Sequence, residues 1–139
     1  METPDLTTAQ IHAAAPFAAT LGIAFSRLDP SEVVAVLEGD AAYGTLHGGT
    51  HGGALMALGD VAATVCAILG TGGRTTSTVQ ASTSFLRPLT GRATAHATPA
   101  RVGRTTVFLD VRILDDQDRV CVQMTQVQAV LPPRPDADA

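Results

Sequence analysis

The chain has 139 residues, of which 45% are hydrophobic and 16% charged, and its formal net charge is −4. That length suits one domain with a core of its own, and the lack of any basic block argues against nucleic acid as the main partner. Four Phe, one Tyr and no Trp leave the core to Ala, Val, Leu and Ile, and so little charge on a small domain is a reason to expect a homo-oligomer.

The opening residues METPDLTTAQ carry acids and no basic stretch, so no secretory signal is expected. Cys66 and Cys121 are far apart in apolar segments without CxxC spacing. They read as two reduced core thiols of a cytoplasmic protein. Residues 1–20 form a partly helical N-terminal segment, in which TTAQIHAAAPFAAT is helix as far as Pro16. LGIAFSRL and EVVAVLEG then read as the strands of a hairpin around DPS at 29–31. DAAYGTLHGGTHGG is too rich in glycine for a regular element and reads as a loop.

Residues 53–69 predict a helix that is apolar nearly all round, hence enclosed. The stretch is short for a membrane span and contains Gly59, Asp60 and Thr64, so no membrane is expected as a partner. GTGGR stops it at 70–74. Four strands follow. The first alternates from about residue 76, with Val79, Ala81, Thr83 and Phe85 on one face and Thr78, Gln80, Ser82 and Ser84 on the other. GRATAHATPARV, RTTVFLDVRILD and RVCVQMTQVQAVL come next, and Val107, Leu109, Val111 and Ile113 make the clearest period-two stripe. The Pro- and Asp-rich tail at 132–139 is expected to be disordered. One enclosed helix, a hairpin and four consecutive strands predict an α+β domain whose antiparallel sheet covers the helix.

Asp60 is the only Asp, Glu, Lys or Arg between Asp40 and Arg74. An ionised carboxylate on an apolar helix is costly unless it is paired or used. A structural acid satisfied by an arginine or a backbone group is the bland reading. Gly52 and Gly53 stand where the helix begins and its first N–H groups have no carbonyl to meet. Glycine lets a ligand approach that backbone, and the helix dipole favours negative charge there. The alternative is a sharp loop-to-helix turn and nothing more. Together, an oxyanion donor and a carboxylate describe acyl transfer to water. The two are eight residues apart, roughly 12 Å along a helix. They do not reach one carbonyl from the same helix, so a site using both straddles a subunit interface.

HGGALMALGD, 51–60, is similar to the H-G-G-x-x-x-x-L-x-[D/E] motif of acyl-CoA thioesterases with the hotdog fold, in which an antiparallel sheet wraps one long central helix. The group it most resembles contains the phenylacetate-degradation and 4-hydroxybenzoyl-CoA thioesterases. SFLRPLTG and RVGRTT, in that order, extend the resemblance over roughly residues 20–131, which implies a hotdog domain at 21–131. It also implies that Asp60 is the catalytic carboxylate and that the Gly52 amide polarises the thioester carbonyl, with Gly53 beside the substrate. Thr64, one turn beyond Asp60, matches a position that holds water or the carboxylate; a helix Thr bonding its own backbone is equally open. Thr78 matches a site hydroxyl in some relatives, against an ordinary strand Thr.

The triplet His-Gly-Gly occurs twice. His51, nine residues before Asp60, fits the motif spacing, and its imidazole is expected to orient the loop rather than transfer a proton. His47 belongs to what looks like a four-residue extension. Relatives carry Asn or Gln about seven residues before the first motif glycine, where this chain has Thr45, or Ala41 if the first triplet is aligned. His47 or Thr45 is the candidate to replace that amide. The His-x-x-x-His spacing also occurs in zinc-binding helices, but glycines make a helix over 47–51 improbable and no metal is expected.

The resemblance further implies that Phe85 and Arg87 in one region, and Arg101, Gly103, Arg104 and Thr105 in another, meet coenzyme A, with arginines toward its phosphates. Solvated turn arginines are the alternative. Likewise, the polar face at 78–84 is either plain solvent face or one wall of an interface channel. No cofactor is expected, coenzyme A being part of the substrate. The expected protein is a dimeric or tetrameric acyl-CoA thioesterase. Its rivals are a hotdog enoyl-CoA hydratase or dehydratase and a catalytically silent acyl-CoA-binding module.

Overall fold

The computed structural model describes residues 6–133. The N-terminal segment makes two short helices, α1 (Thr8–Ala14) and α2 (Pro16–Leu21). Pro16 separates them because a residue without an N–H starts a helix better than it continues one. The expected disordered tail at 132–139 lies outside the described residues from 134 onward.

Strands β1 (Ala24–Asp29) and β2 (Glu32–Leu37) form the hairpin, whose turn is closed by Ser31 N–H donating to Asp29 Oδ1 at 2.8 Å. The long helix α3 (Gly52–Gly70) follows the glycine-rich loop, and β3 (Thr76–Phe85), β4 (Ala93–Val102), β5 (Thr106–Leu114) and β6 (Val120–Val130) complete the sheet. Every neighbouring pair is antiparallel, in the order β1-β2-β4-β5-β6-β3. This is the hotdog arrangement, α+β, with the sheet curved around α3.

The predicted stripe of β5 faces the helix: Val107, Leu109, Val111 and Ile113 are buried with Ala93, Ala95 and Ala97 of β4. Alanine side chains let the helix sit close over the middle of the sheet. Gly59 extends that close fit, since a Cβ there would lie 2.8 Å from Met124 Cε. Both cysteines are free and buried in this core, and burial pushes the Cys66 thiol up to about 11.

Two expectations need correcting. First, α3 is not enclosed on all sides. It is long and apolar enough to cross a membrane by length and composition, and Leu55, Leu58, Ala62, Val65, Cys66 and Leu69 are buried on the sheet. However, Gly53 and Met56 are exposed, while Ala57, Asp60 and Thr64 are only half-buried. Spaced three or four residues apart, these form one face of the helix, and a single sheet has no second layer to cover it. Secondly, the even alternation read for β3 breaks at Val79. Thr78 pairs with Gln128 and Gln80 with Val127, so Val79 is an extra residue, a β-bulge. Thr78 therefore joins Ala81, Thr83 and Phe85 on the helix side of the strand. Gln80, Ser82 and Ser84 face the other way, with Ser82 and Ser84 in an open hollow of about 700 Å³ shared with His96 and Arg112.

Candidate active site

At the start of α3, His51 is the N-cap: its Nδ1 accepts from Gly53 N–H at 2.8 Å. The imidazole here does what Ser, Asp or Asn does at other helix starts, satisfying one of the free donors. An accepting Nδ1 carries no proton, so any hydrogen sits on Nε2. The loop before it is tied down by His51 N–H to Tyr43 O at 2.6 Å and Thr50 N–H to Leu89 O at 2.8 Å. Gly53 is thereby committed to the cap. Gly52 N–H, by contrast, has no acceptor among the described residues. The Phe85 ring lies over Gly52, so close that a Cβ there would stand 3.0 Å from Phe85 Cζ.

Two turns along the open face, Asp60 is held through one oxygen. Oδ1 accepts from Thr78 Oγ1–H at 2.9 Å and from Gln126 Nε2 at 2.8 Å, and among the described residues Oδ2 receives no bond. Neither partner of the bland alternative for Asp60, an arginine or a backbone group, bonds its carboxylate among the described residues. Behind it, Gln128 Nε2 shares its two hydrogens among Thr64 Oγ1 at 2.9 Å, Gln126 Oε1 at 3.0 Å and Thr78 Oγ1 at 3.2 Å. The Thr76 hydroxyl donates to Gln128 Oε1 at 2.6 Å. Thr64 and Thr78 thus meet the carboxylate's surroundings through side chains, and among the described residues Thr64 Oγ1 makes no bond to its own helix backbone. Gln126 and Gln128, exposed by 1% and 0%, escaped the sequence reading. Their signal is positional: counted in twos from Val122 and Met124, both amides fall on the core face of β6.

The other candidates divide by place. Thr45 Oγ1 accepts from His47 N–H within the loop, and neither residue bonds Asp60 or the glutamines. Leu46 and His47 project from the tip of this extension, where Gly48 supplies a positive φ of 86°. Arg87 is exposed just beyond Phe85, on the side of the helix start. Arg101, near the end of β4, is followed by Gly103, Arg104 and Thr105 in the β4–β5 turn, where Thr106 O accepts from Gly103 N–H at 2.8 Å. That turn lies at the far end of α3, since Gly70 packs against Val102. Nineteen helical residues span about 27 Å. One protomer therefore separates the helix start, the carboxylate and this turn, rather than gathering them.

Residues 43–122, more than half of the chain, match the family described as the Thioesterase superfamily. The chain belongs to that superfamily. Solved structures agree. AziG of S. sahachiroi is 31% identical with a TM-score of 0.81, over 86% of this chain and 98% of that one. A variant of a Pseudomonas aeruginosa thioesterase is 28% identical with a TM-score of 0.85, over 95% and 97%. The E. coli PaaI protein from the phenylacetic acid degradation operon, 22% identical with a TM-score of 0.83 over 91% of each chain, shares the fold. Membership supports thioester hydrolysis as the class of reaction. The matched region contains the capped helix start, Asp60 and Thr78, whereas Gln126 and Gln128 lie beyond it.

Proposed function

We propose that this member of the superfamily hydrolyses acyl-CoA thioesters as a homo-oligomer, with each site built from two subunits. The observation that carries the reading is a pair of groups on α3 unused among the described residues: the Gly52 N–H, without an acceptor there, and Asp60 Oδ2, without a donor there, the carboxylate being pinned through its other oxygen. The thioester carbonyl takes the Gly52 N–H, which stabilises the oxyanion as it forms. Asp60 of the partner subunit either takes a proton from the water that attacks the carbonyl carbon, or attacks that carbon itself to give a mixed anhydride that water then opens. In both routes the C–S bond breaks and the coenzyme A thiolate leaves, taking up a proton. Either route ends in free acid and free thiol, using water and the chain's own groups.

Support for the partner comes from the edge of the sheet. β3 is a ten-residue edge strand without a charge or a proline, which is how a strand built to pair with another looks. Met56, Val79, Phe85 and Leu86 are exposed along it and along the neighbouring helix face. A two-fold axis through β3 runs the two helices antiparallel, so the start of each faces later turns of the other. The same operation brings each arginine-bearing β4–β5 turn toward the end where the other subunit has Arg87, giving cations for coenzyme A phosphates.

The test is hydrolysis of a panel of acyl-CoA esters with release of thiol as the readout. Asp60→Asn keeps the shape and leaves an oxygen to accept from Thr78 and Gln126, so the fold is expected to hold while kcat/KM falls by roughly 1,000-fold. Thiol release unchanged in Asp60→Asn, or none from any ester with the parent protein, would overturn the proposal. Consumption of an enoyl-CoA without thiol release would point to a hydratase instead. Single-turnover labelling with oxygen-18 water separates the two routes, since nucleophilic attack leaves solvent oxygen in the enzyme.

A further inference from the structure

Two glutamines side by side on the core face of β6 are an unusual expense of position. Val122 and Met124 precede them on that face, and aliphatic residues there would pack without needing partners. Every polar end of the pair is nevertheless used, and the bonds run in one direction. Thr76 O–H donates to Gln128 Oε1, which turns Gln128 Nε2 toward its neighbours. Gln128 Nε2 donates to Gln126 Oε1, which turns Gln126 Nε2 toward Asp60. The remaining hydrogen of that amide points at Met124 Sδ, 3.5 Å away. Reversing Gln126 would set its carbonyl against the Asp60 carboxylate and its NH₂ against the Gln128 donor, so the chain admits one orientation.

We infer that Gln126 is a positioning residue for the proposed hydrolysis, with Gln128 as its backing: it holds Asp60 by Oδ1 and so reserves Oδ2 for the reacting water or carbonyl carbon. The inference rests on the reading of Asp60 given above and adds to it which oxygen works and what aims it. Thr78 alone, on an edge strand and exposed, fixes the carboxylate from one side only. The buried amide supplies the second direction and removes rotation about the Cβ–Cγ bond. A general base misaimed by a small rotation loses its approach to water, which is where the effect on rate comes from.

Gln126→Met removes the donor at nearly constant volume. It is expected to lower kcat by about 10-fold to 100-fold with KM close to the parent value, using whichever acyl-CoA the parent turns over fastest. Parent kcat in a folded Gln126→Met protein overturns the inference. Should that variant not fold, Gln126→Glu decides. At neutral pH its carboxylate faces that of Asp60 and activity is low; as pH falls, the protonated Glu donates to Oδ1 and activity recovers, so its pH–rate profile moves to the acid side of the parent's. A profile parallel to the parent's overturns the inference. Asp60→Asn is measured alongside. If it is inactive while Gln126→Met is not impaired, only the positioning role fails; if Asp60→Asn is active, the reading of Asp60 fails with it.

Discussion

His51 shows how a residue of the His-Gly-Gly motif is placed by a structural duty. Its imidazole caps the helix whose first glycine offers an N–H with no acceptor among the described residues, and it does so only with Nδ1 unprotonated. Removing the cap in His51→Ala is expected to cost about 1 kcal/mol of stability, the usual worth of an N-cap side chain. His51→Asn brings back a short oxygen acceptor and should restore most of the thermal midpoint. Thermal melts of the three proteins check this, and a midpoint in His51→Ala equal to the parent's would show the cap to be idle. Asp60 makes the complementary point. On an apolar helix its carboxylate looks misplaced, yet one oxygen is fully employed and the other is left open by the described residues.

Among the elements, β3 carries the greatest consequence. A single extra residue at Val79 changes which face Thr78 occupies, and with it whether Asp60 has a hydroxyl partner. Strict alternation would have sent Thr78 to the far side with Gln80. The β5–β6 turn shows a different local device. Asp115 is buried, which by itself would raise its pKa. The Arg119 N–H at 3.0 Å, the Arg119 guanidinium at 2.8 Å and the Gln117 N–H at 2.9 Å outweigh burial and hold it down to about 2, from an ordinary 3.8. A depressed carboxyl pKa stabilises the folded state fully above the unfolded value of 3.8, and that contribution disappears as pH falls through about 2. Asp115→Asn should therefore melt lower than the parent near neutrality, and the gap between their midpoints should shrink as pH falls across this window. A gap constant with pH would mean that the charge of Asp115 does not stabilise the turn.

At the scale of the whole molecule, the question is whether a site is completed by a second copy. Gly52→Pro tests the helix start with little disturbance. Proline fits the first helical position, and His51, at φ −60° and ψ 135°, already has the extended backbone preferred before proline. Only the N–H is lost, together with a small displacement of the half-exposed Phe85 ring. Gly52→Pro and Asp60→Asn should each be inactive alone. Mixed and allowed to exchange subunits, they should recover about a quarter of parental activity, because half the dimers then hold one intact site of two. No recovery, with exchange shown by a tagged subunit, would place both groups of a site in one chain.

Local pattern was enough to read the elements. Period-two stripes at 107–113 gave a core strand, the apolar run from 53 gave the central helix, and the glycines at 52 and 53 marked its start. These were legible because burial repeats along the chain with the period of the element itself. The carboxylate at 60 stood out for a related reason, as a charge where the pattern has no room for one. What the pattern cannot hold is the identity of a partner across the sheet. The bulge at Val79 is a matter of strand register, and the contact from Gln126 to Asp60 joins residues 66 positions apart. The open face of α3 likewise follows from how many layers the fold supplies. Those features are set by pairing between elements, so only the tertiary structure decided by which oxygen Asp60 is held.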